Sequence, residues 1–192
     1  MPEPWDPFPM PRRGEPLDVP LYLGVGRVIH QWECVEFGLS EIHCALRGDL
    51  QFSSMGDYGR GGNIFRERIS GLARTAEAYF HRVPHQAAEG DLDRLISEVV
   101  GFSDRRNEVA HSIVMDVQSV RYFQAIMPEA ARGVPQFLAM PPIYHHRRMT
   151  DEGLPAFAYS TVELQRLCDA IFVIEASIDD YINRWWPGAL PA

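Results

Sequence analysis

The fold is decided above all by residues 91–113, which read DLDRLISEVVGFSDRRNEVAHSI. Apolar residues recur in this stretch at steps of three and four, the spacing of one helix face. At one position of this stripe the expected apolar residue is replaced by Arg106. Because a guanidinium keeps its proton and is costly to bury unpaired, Arg106 requires a partner, a ligand or an interface at that place. The residues of the stripe are Leu92, Leu95, Val99, Phe102, Val109 and Ile113.

Three further stretches have the same helical period, so the chain is predicted to form four long amphipathic helices. Four such helices with one irregular excursion between the third and the fourth indicate an all-α antiparallel four-helix bundle. The predicted bounds are about 21–47 for the first helix, 65–83 for the second, from near Asp91 for the third, and 160–187 for the fourth.

The ends of these helices carry recognisable capping signals. Asn63 is a predicted N-cap for the second helix, and Pro84 is predicted to stop it. Ser160 and Glu163 have the spacing of a capping box at the start of the fourth helix. The fourth helix is predicted to end at Pro187-Gly188, followed by a short tail over 188–192.

The segments outside the helices differ in composition. Residues 1–20 contain seven prolines and are predicted to form an extended arm ahead of the bundle, which spans 21–187. Glycines punctuate residues 48–63, which predicts a flexible loop. Between 112 and 160 the helical period disappears, and short apolar pieces at 113–117, 122–127 and 137–140 predict short strands or an irregular flap.

Composition narrows the possible functions. The chain has 192 residues, 46% of them hydrophobic, which is enough for one domain with extensions. A formal charge of -8 argues against a broadly basic nucleic-acid footprint, although a local arginine cluster can still grip phosphates. All 18 basic residues are arginines. Mechanisms that need a lysine, such as a Schiff base or a phosphate-loop lysine, are therefore excluded.

Cysteine usage and hydropathy bear on the compartment. Cys34, Cys44 and Cys168 are odd in number and lack a C-x-x-C pair, which favours buried, reduced thiols in the cytoplasm. No apolar run approaches the roughly 18 residues of a membrane span, and the start of the chain lacks a signal-peptide pattern. We therefore expect a cytoplasmic protein with no membrane association.

The candidate site lies at the end of the third helix. Asn107 and His111 are four residues apart and share a helix face, and Ser103 lies one turn earlier. Arg106 is about 100 degrees round from Asn107, so its long side chain can bend toward the space in front of His111. An always-charged donor beside a group that titrates near neutral pH suits phosphate chemistry.

A structural interpretation of the same residues stays open. Arg106 could pair with a buried carboxylate such as Glu33 or Glu36 on the first helix, while His111 caps carbonyl groups at the helix end. The remaining candidates are weaker. His81 and His85 have metal-ligand spacing, but Pro84 breaks the helix that would align them, so no metal site and no cofactor are predicted. Residues 144–148, YHHRR, form the densest basic patch and could receive an RNA backbone.

The motif Arg106-Asn107 followed by His111 resembles the signature of HEPN domains. In that signature an Arg, usually followed by a polar residue, precedes a His by four to six intervening residues, and this chain has four. The surroundings resemble bacterial HEPN-like bundles in a first helix with Trp32 and Glu33 and in the sequence YSTVELQRL that opens the last helix. The resemblance covers about 21–187, but only the six-residue motif is specific.

The resemblance implies an all-α bundle that forms a homodimer with two Arg/His motifs at a shared cleft. Many HEPN proteins are metal-independent endoribonucleases, some of them toxins or defence proteins. Carried over, His111 would act on the ribose 2′-hydroxyl or the leaving oxygen, Arg106 would stabilise the phosphorane, and Asn107 would orient them. The implied product is a 2′,3′-cyclic phosphate, and the implied partners are RNA, a second copy and a cognate inhibitor protein.

Other members of the family lack nuclease activity. If this chain resembles those members, the resemblance implies a noncatalytic helical-bundle module for binding or dimerisation, in which Arg106 and His111 are structural.

Overall fold

The computed structural model describes residues 3–49, 51, 53–60, 62, 64–118, 120–142 and 144–186. The described chain is mostly helical, as predicted, with a small two-stranded sheet. The predicted Asn63 cap, the predicted stop at Pro187-Gly188 and the tail 188–192 lie outside the described residues. The elements are α1 Val19–Leu46, α2 Met55–Arg60, α3 Phe65–Arg82, α4 Gln86–Ala110, β1 Ile113–Asp116, α5 Arg121–Ile126, α6 Pro128–Ala131, β2 Phe137–Met140, a 3-10 turn His146–Arg148, and α7 Thr161–Trp185.

The four long helices that periodicity predicts are α1, α3, α4 and α7, but α4 begins earlier than expected. It starts at Gln86 instead of near Asp91. The cause is a side-chain cap, since the backbone N–H of Ala88 donates to Nδ1 of His85 at 3.3 Å. Histidine does not belong to the usual set of N-capping residues, so the sequence pattern places the start of this helix several residues too late.

The start of α7 confirms the predicted capping box. The N–H of Ser160 donates to Oε2 of Glu163 at 2.8 Å, and the N–H of Val162 donates to Oγ of Ser160 at 3.2 Å. A second acid from the N-terminal arm joins the cap, because Oε1 of Glu15 accepts from the N–H of Thr161 at 3.1 Å. Carboxylates at this end also complement the helix dipole.

The glycine-rich segment 48–63, predicted as a flexible loop, contains the helix α2. Asp49 organises the turn before it, since its carboxylate accepts from the hydroxyl of Ser53 at 3.0 Å and from the N–H of Ser54 at 2.6 Å. These bonds, those from Ser54 foremost, lower the pKa of Asp49 to about 2. Burial of Tyr58 on α2 then outweighs the poor helix propensity of the glycines.

The excursion 112–160 contains the small β element that was predicted. β1 and β2 pair antiparallel, with Ile113 opposite Met140. The middle apolar piece is helical instead, because Phe123, Met127 and Ala130 follow each other at steps of four and three and are all buried. The break between α5 and α6 interrupts this short period, which hides it from a sequence pattern.

The described chain divides into two compact units. The first comprises Met1–Gln31 and Asp104–Ala170. Its core lies around the sheet, with Met10 of the arm packed against it. β2 is also bordered by the arm, since Glu15 and Phe137 exchange backbone hydrogen bonds at 2.9 and 2.8 Å. The buried residues of this core are Val117, Phe123, Met127, Ala130, Leu138, Met140 and Ala158.

The second unit comprises Trp32–Ser103 and Ile171–Ala192, and its described secondary structure is helical. α1 and α7 approach closely in this unit at Gly38, which has no side chain. A Cβ at this position would lie 2.6 Å from Cγ2 of Ile178. Trp32 is fully buried and stacks edge-on against Phe65, with ring centroids 5.1 Å apart. None of the helices in the described residues has both the length and the apolar character that a membrane crossing requires.

Candidate functional site

The C-terminal end of α4 brings the three predicted site residues together. The backbone N–H of His111, the first residue after the helix, donates to the carbonyl of Asn107 at 3.2 Å. Arg106 is half-buried, and its Nη1 donates to Oδ1 of Asn107 at 3.2 Å. The side chain of His111 is exposed. The end of the helix therefore presents an imidazole to solvent beside a guanidinium and an amide.

Two residues from the segment after β2 complete the site. The ring centroid of His145 lies 6.3 Å from that of His111, with 36° between the ring planes. Arg148 reaches the helix end, where its Nη1 donates to the carbonyl of Asn107 at 2.9 Å. We call Arg106, Asn107, His111, His145 and Arg148 the His111 cluster.

The basic composition of residues 144–148 signals an anion-binding patch, and sequence analysis singled it out for that reason. It connected the patch with the cleft only on the condition that the excursion folds over it, and it named no residue of the patch as a member of the site. No local pattern reports a contact between positions separated by a sheet and two short helices, so His145 and Arg148 were missed as members of the site.

Two sets of contacts bear on the structural interpretation of the motif. The carbonyl of Asn107 is capped by Arg148 and not by the His111 side chain, and the carbonyl of Val109 accepts from the hydroxyl of Ser112 at 2.8 Å. A cation at a helix C-terminus is favourable, which explains why an arginine holds this place. Glu36, one of the two carboxylates suggested for Arg106, accepts two hydrogen bonds from Arg68, at 2.7 and 2.6 Å.

The electrostatics of the cluster keep His111 uncharged. Partial burial lowers the pKa of His111, and the charges of Arg148, His145 and Arg106 lower it further. Within the described chain no residue hydrogen-bonds the His111 ring. At neutral pH the ring is therefore a neutral base with its nitrogens accessible to a substrate.

A buried layer of side chains fixes the end of α4 beneath the cluster. Nη1 of Arg105 lies 2.9 Å from Oε2 of Glu108, and the hydroxyl of Tyr159 donates to the same carboxylate. Tyr159 is bound in turn to β2, since it exchanges backbone hydrogen bonds with Ala139 at 2.8 and 3.0 Å. Burial raises the pKa of Glu108, against the opposing effect of the Tyr159 bond and Arg105. These residues are positioning residues, and sequence analysis missed them.

The remaining candidates have other contacts. The hydroxyl of Ser103 is turned onto its own helix and donates to the carbonyl of Val100 at 2.8 Å. In the parts of the chain that the structure describes, no group of three or more His, Cys, Asp or Glu side chains is arranged to hold a metal ion. His85 packs against Trp185, with ring centroids 4.6 Å apart, in addition to capping α4.

No protein-family model, curated protein or solved structure matches this chain. The function is therefore inferred from the geometry of the His111 cluster and from the resemblance of its motif to the HEPN signature.

Proposed function

We propose that the protein is a metal-independent endoribonuclease of the HEPN type. In this proposal α1, α3, α4 and α7 form an antiparallel four-helix bundle, and a cytoplasmic homodimer brings two clusters to a shared cleft. The proposal is carried by one observation: an exposed, uncharged His111 lies 6.3 Å from a second imidazole, with Arg106 and Arg148 at the same helix end. A base, a second proton-transfer group and two fixed cations are what phosphodiester cleavage through the 2′-hydroxyl requires.

The reaction assigns one proton transfer to each imidazole. Neutral His111 removes the proton of the ribose 2′-hydroxyl, and the oxygen forms a bond to the adjacent phosphorus. The bond from phosphorus to the 5′-oxygen breaks, and His145 donates a proton to that oxygen. The products are a 2′,3′-cyclic phosphate and a 5′-hydroxyl end.

The two arginines have a different part in this reaction. The phosphorane carries more negative charge than the diester, so fixed guanidinium groups bind it more tightly than the substrate. Arg148 is fixed by its bond to the Asn107 carbonyl, and Arg106 by its bond to the Asn107 side chain. Asn107 is thus a positioning residue that orients both cations. A cognate inhibitor protein belongs to the same proposal as a partner that restrains the activity.

One observation favours the noncatalytic alternative, a binding or dimerisation module in which Arg106 and His111 are structural. Both polar ends of Asn107 are used within the chain, its carbonyl by Arg148 and its side-chain oxygen by Arg106. A helix end built only for stability would use them in the same way.

Substitution of His111 by Ala separates the two functions. His111 is exposed and its ring makes no hydrogen bond within the described residues, so the variant should keep the melting temperature and the oligomeric state of the wild type. Cleavage of a fluorogenic RNA should fall by about 10²–10⁴-fold, the usual contribution of a general base. The matched control is His146→Ala, which removes an exposed histidine from the same patch and should cleave as the wild type does.

Three results would contradict the ribonuclease. They are wild-type protein that leaves diverse RNAs intact, a His111→Ala variant that cleaves normally, and cleavage that a chelator abolishes. An inert wild type that still forms the dimer would support the noncatalytic module.

A further inference from the structure

A second site lies in the second unit and shares no residue with the His111 cluster. A cavity of about 430 Å³ is walled there by α1, α2 and α3. Among the described residues of its wall there are four arginines and one carboxylate, Asp57. The chain as a whole has a formal charge of -8, so this local concentration of positive charge favours the binding of an anion in the cavity. The arginines are Arg47, Arg68, Arg74 and Arg82.

Two of the four arginines are already neutralised. Arg68 is held by the carboxylate of Glu36 through two hydrogen bonds, and Nη1 of Arg47 lies 3.2 Å from Oδ2 of Asp57. Arg74 and Arg82 have no carboxylate within ion-pair distance among the residues the structure describes. The cavity therefore presents the charge of two uncompensated guanidinium groups.

The floor of the cavity adds a second, independent sign of a missing ligand. His43 and Tyr58 are each 6% exposed and line the cavity, with ring centroids 6.1 Å apart. Nδ1 of His43 has no partner within the described chain, and the hydroxyl of Tyr58 has the guanidinium of Arg68 nearby, which can donate to its oxygen but cannot accept its proton. Buried polar atoms nearly always have a partner, so an unpaired ring nitrogen and a hydroxyl proton without an acceptor beside one cavity indicate a group that fills it.

Both groups suit an anion. Burial, assisted by the charge of Arg47, lowers the pKa of His43, so its ring is neutral and can offer one N–H. Burial and the nearby charge of Glu36 raise the pKa of Tyr58, so the phenol keeps its proton. The nearby carboxylates, Asp57 and Glu36, are already paired with arginines, which leaves hydrogen-bond donors as the available polar groups.

We propose that this cavity binds a small phosphomonoester, with its phosphoryl oxygens on Arg74 and Arg82 and on the donors of His43 and Tyr58. A phosphoryl group has three acceptor oxygens and nearly two negative charges, which match donors from several directions and two unpaired cations. The volume exceeds the need of a phosphate alone. Leu46 and Leu72 provide an apolar wall for the organic part of the ligand.

Calorimetric titration of the intact protein tests this site. The probes are ribose 5-phosphate, inorganic phosphate and, as the uncharged counterpart, ribose. We expect ribose 5-phosphate to bind most tightly, phosphate more weakly and ribose not measurably. Arg74→Gln and Arg82→Gln should each weaken binding of ribose 5-phosphate by about tenfold, the value of one charge-assisted contact.

Two further variants make the result specific. Arg66→Gln removes an exposed arginine from α3 that does not line the cavity, and it should bind as the wild type does. Tyr58→Phe keeps the ring and removes only the hydroxyl, so it should fold normally and bind a few-fold more weakly. A wild type that gives no heat at millimolar ligand overturns the site. Equal weakening by Arg66→Gln and Arg74→Gln also overturns it, because binding would then follow general charge.

Discussion

His111 and His43 have similar surroundings but opposite accessibility. Both lie near arginines, and burial with those charges lowers the pKa of each ring. His111 is exposed beside a second imidazole, whereas His43 is 6% exposed beside a tyrosine. The same residue types thus suit proton transfer at one place and ligand binding at the other. Access to a reacting group makes the difference, more than the shift of the pKa.

The arginines of the two regions differ in the same way. Arg68 holds the buried carboxylate of Glu36, which also accepts from Nε1 of Trp32 at 3.0 Å. Arg148 donates to a backbone carbonyl at a helix end, and within the described residues it forms no ion pair. Loss of the first arginine should therefore cost stability, and loss of the second should cost mainly activity.

The largest effect is expected for Arg68→Ala. The pair is mostly shielded, with 18% of the Arg68 side chain and 9% of the Glu36 side chain exposed, so the variant leaves a carboxylate without its counter-charge. The free energy of unfolding should fall by about 3 kcal/mol in urea titrations. Arg66→Ala, an exposed arginine on the same helix, should change it by less than about 0.5 kcal/mol. A loss of the same small size for Arg68→Ala would remove the contrast between the regions.

His145→Ala should affect activity and not stability. Loss of the second proton-transfer group is expected to slow RNA cleavage by about 100-fold, which corresponds to about 2.7 kcal/mol in the barrier. The urea midpoint should match that of the wild type, since the His145 side chain makes only ring contacts in the described chain. A rate within a few-fold of His146→Ala would mean that His111 acts without His145.

Arg148→Gln should shift the pH dependence of cleavage. The charge of Arg148 helps to lower the pKa of His111, so activity in the wild type should fall only when the pH drops below about 6.5. The variant lacks that charge, and its acid limb should move to higher pH. Stability should fall by about 1 kcal/mol with the lost hydrogen bond. Arg147→Gln, the exposed neighbour, is the control, and an unmoved acid limb would contradict the role of Arg148.

The smallest effect concerns His43 and the stability of the second unit. The pKa of His43 is lower in the folded protein than in the unfolded chain, so the unfolded chain binds more protons below pH 6.5. Stability should therefore decrease as the pH falls from 6.5 through the folded pKa. His43→Gln should flatten this decrease in urea titrations at several pH values, and His81→Gln, an exposed histidine, should not. Identical profiles for both variants would exclude His43 as the cause.

The parts of the fold that follow from local pattern were predictable. The apolar stripe of α1 and the capping box of α7 are encoded by residues within a few positions of each other. The start of α4 was not, because the capping residue is His85. The helix α2 was hidden for a different reason, since burial of Tyr58 depends on residues distant in sequence.

The residues of the candidate site also differ in whether a local sequence pattern could predict them. Arg106, Asn107 and His111 lie within six positions, so their proximity followed from helix geometry. The contacts of His145 and Arg148 with this helix end depend on the turns and the sheet between them, which no local pattern specifies. Glu36, suggested with Glu33 as a possible partner of Arg106, is buried, and Arg68 of α3 donates to it, a contact that the sequence did not predict.

The bond between Glu15 and Thr161 has a consequence for biosynthesis. It joins residues 146 positions apart, and the same arm residue borders β2. During translation Glu15 is made long before Thr161, the residue on α7 that donates to it, so this part of the arm cannot dock on the helix until α7 has been made. The arm is therefore synthesised before α7 but takes its final position after it.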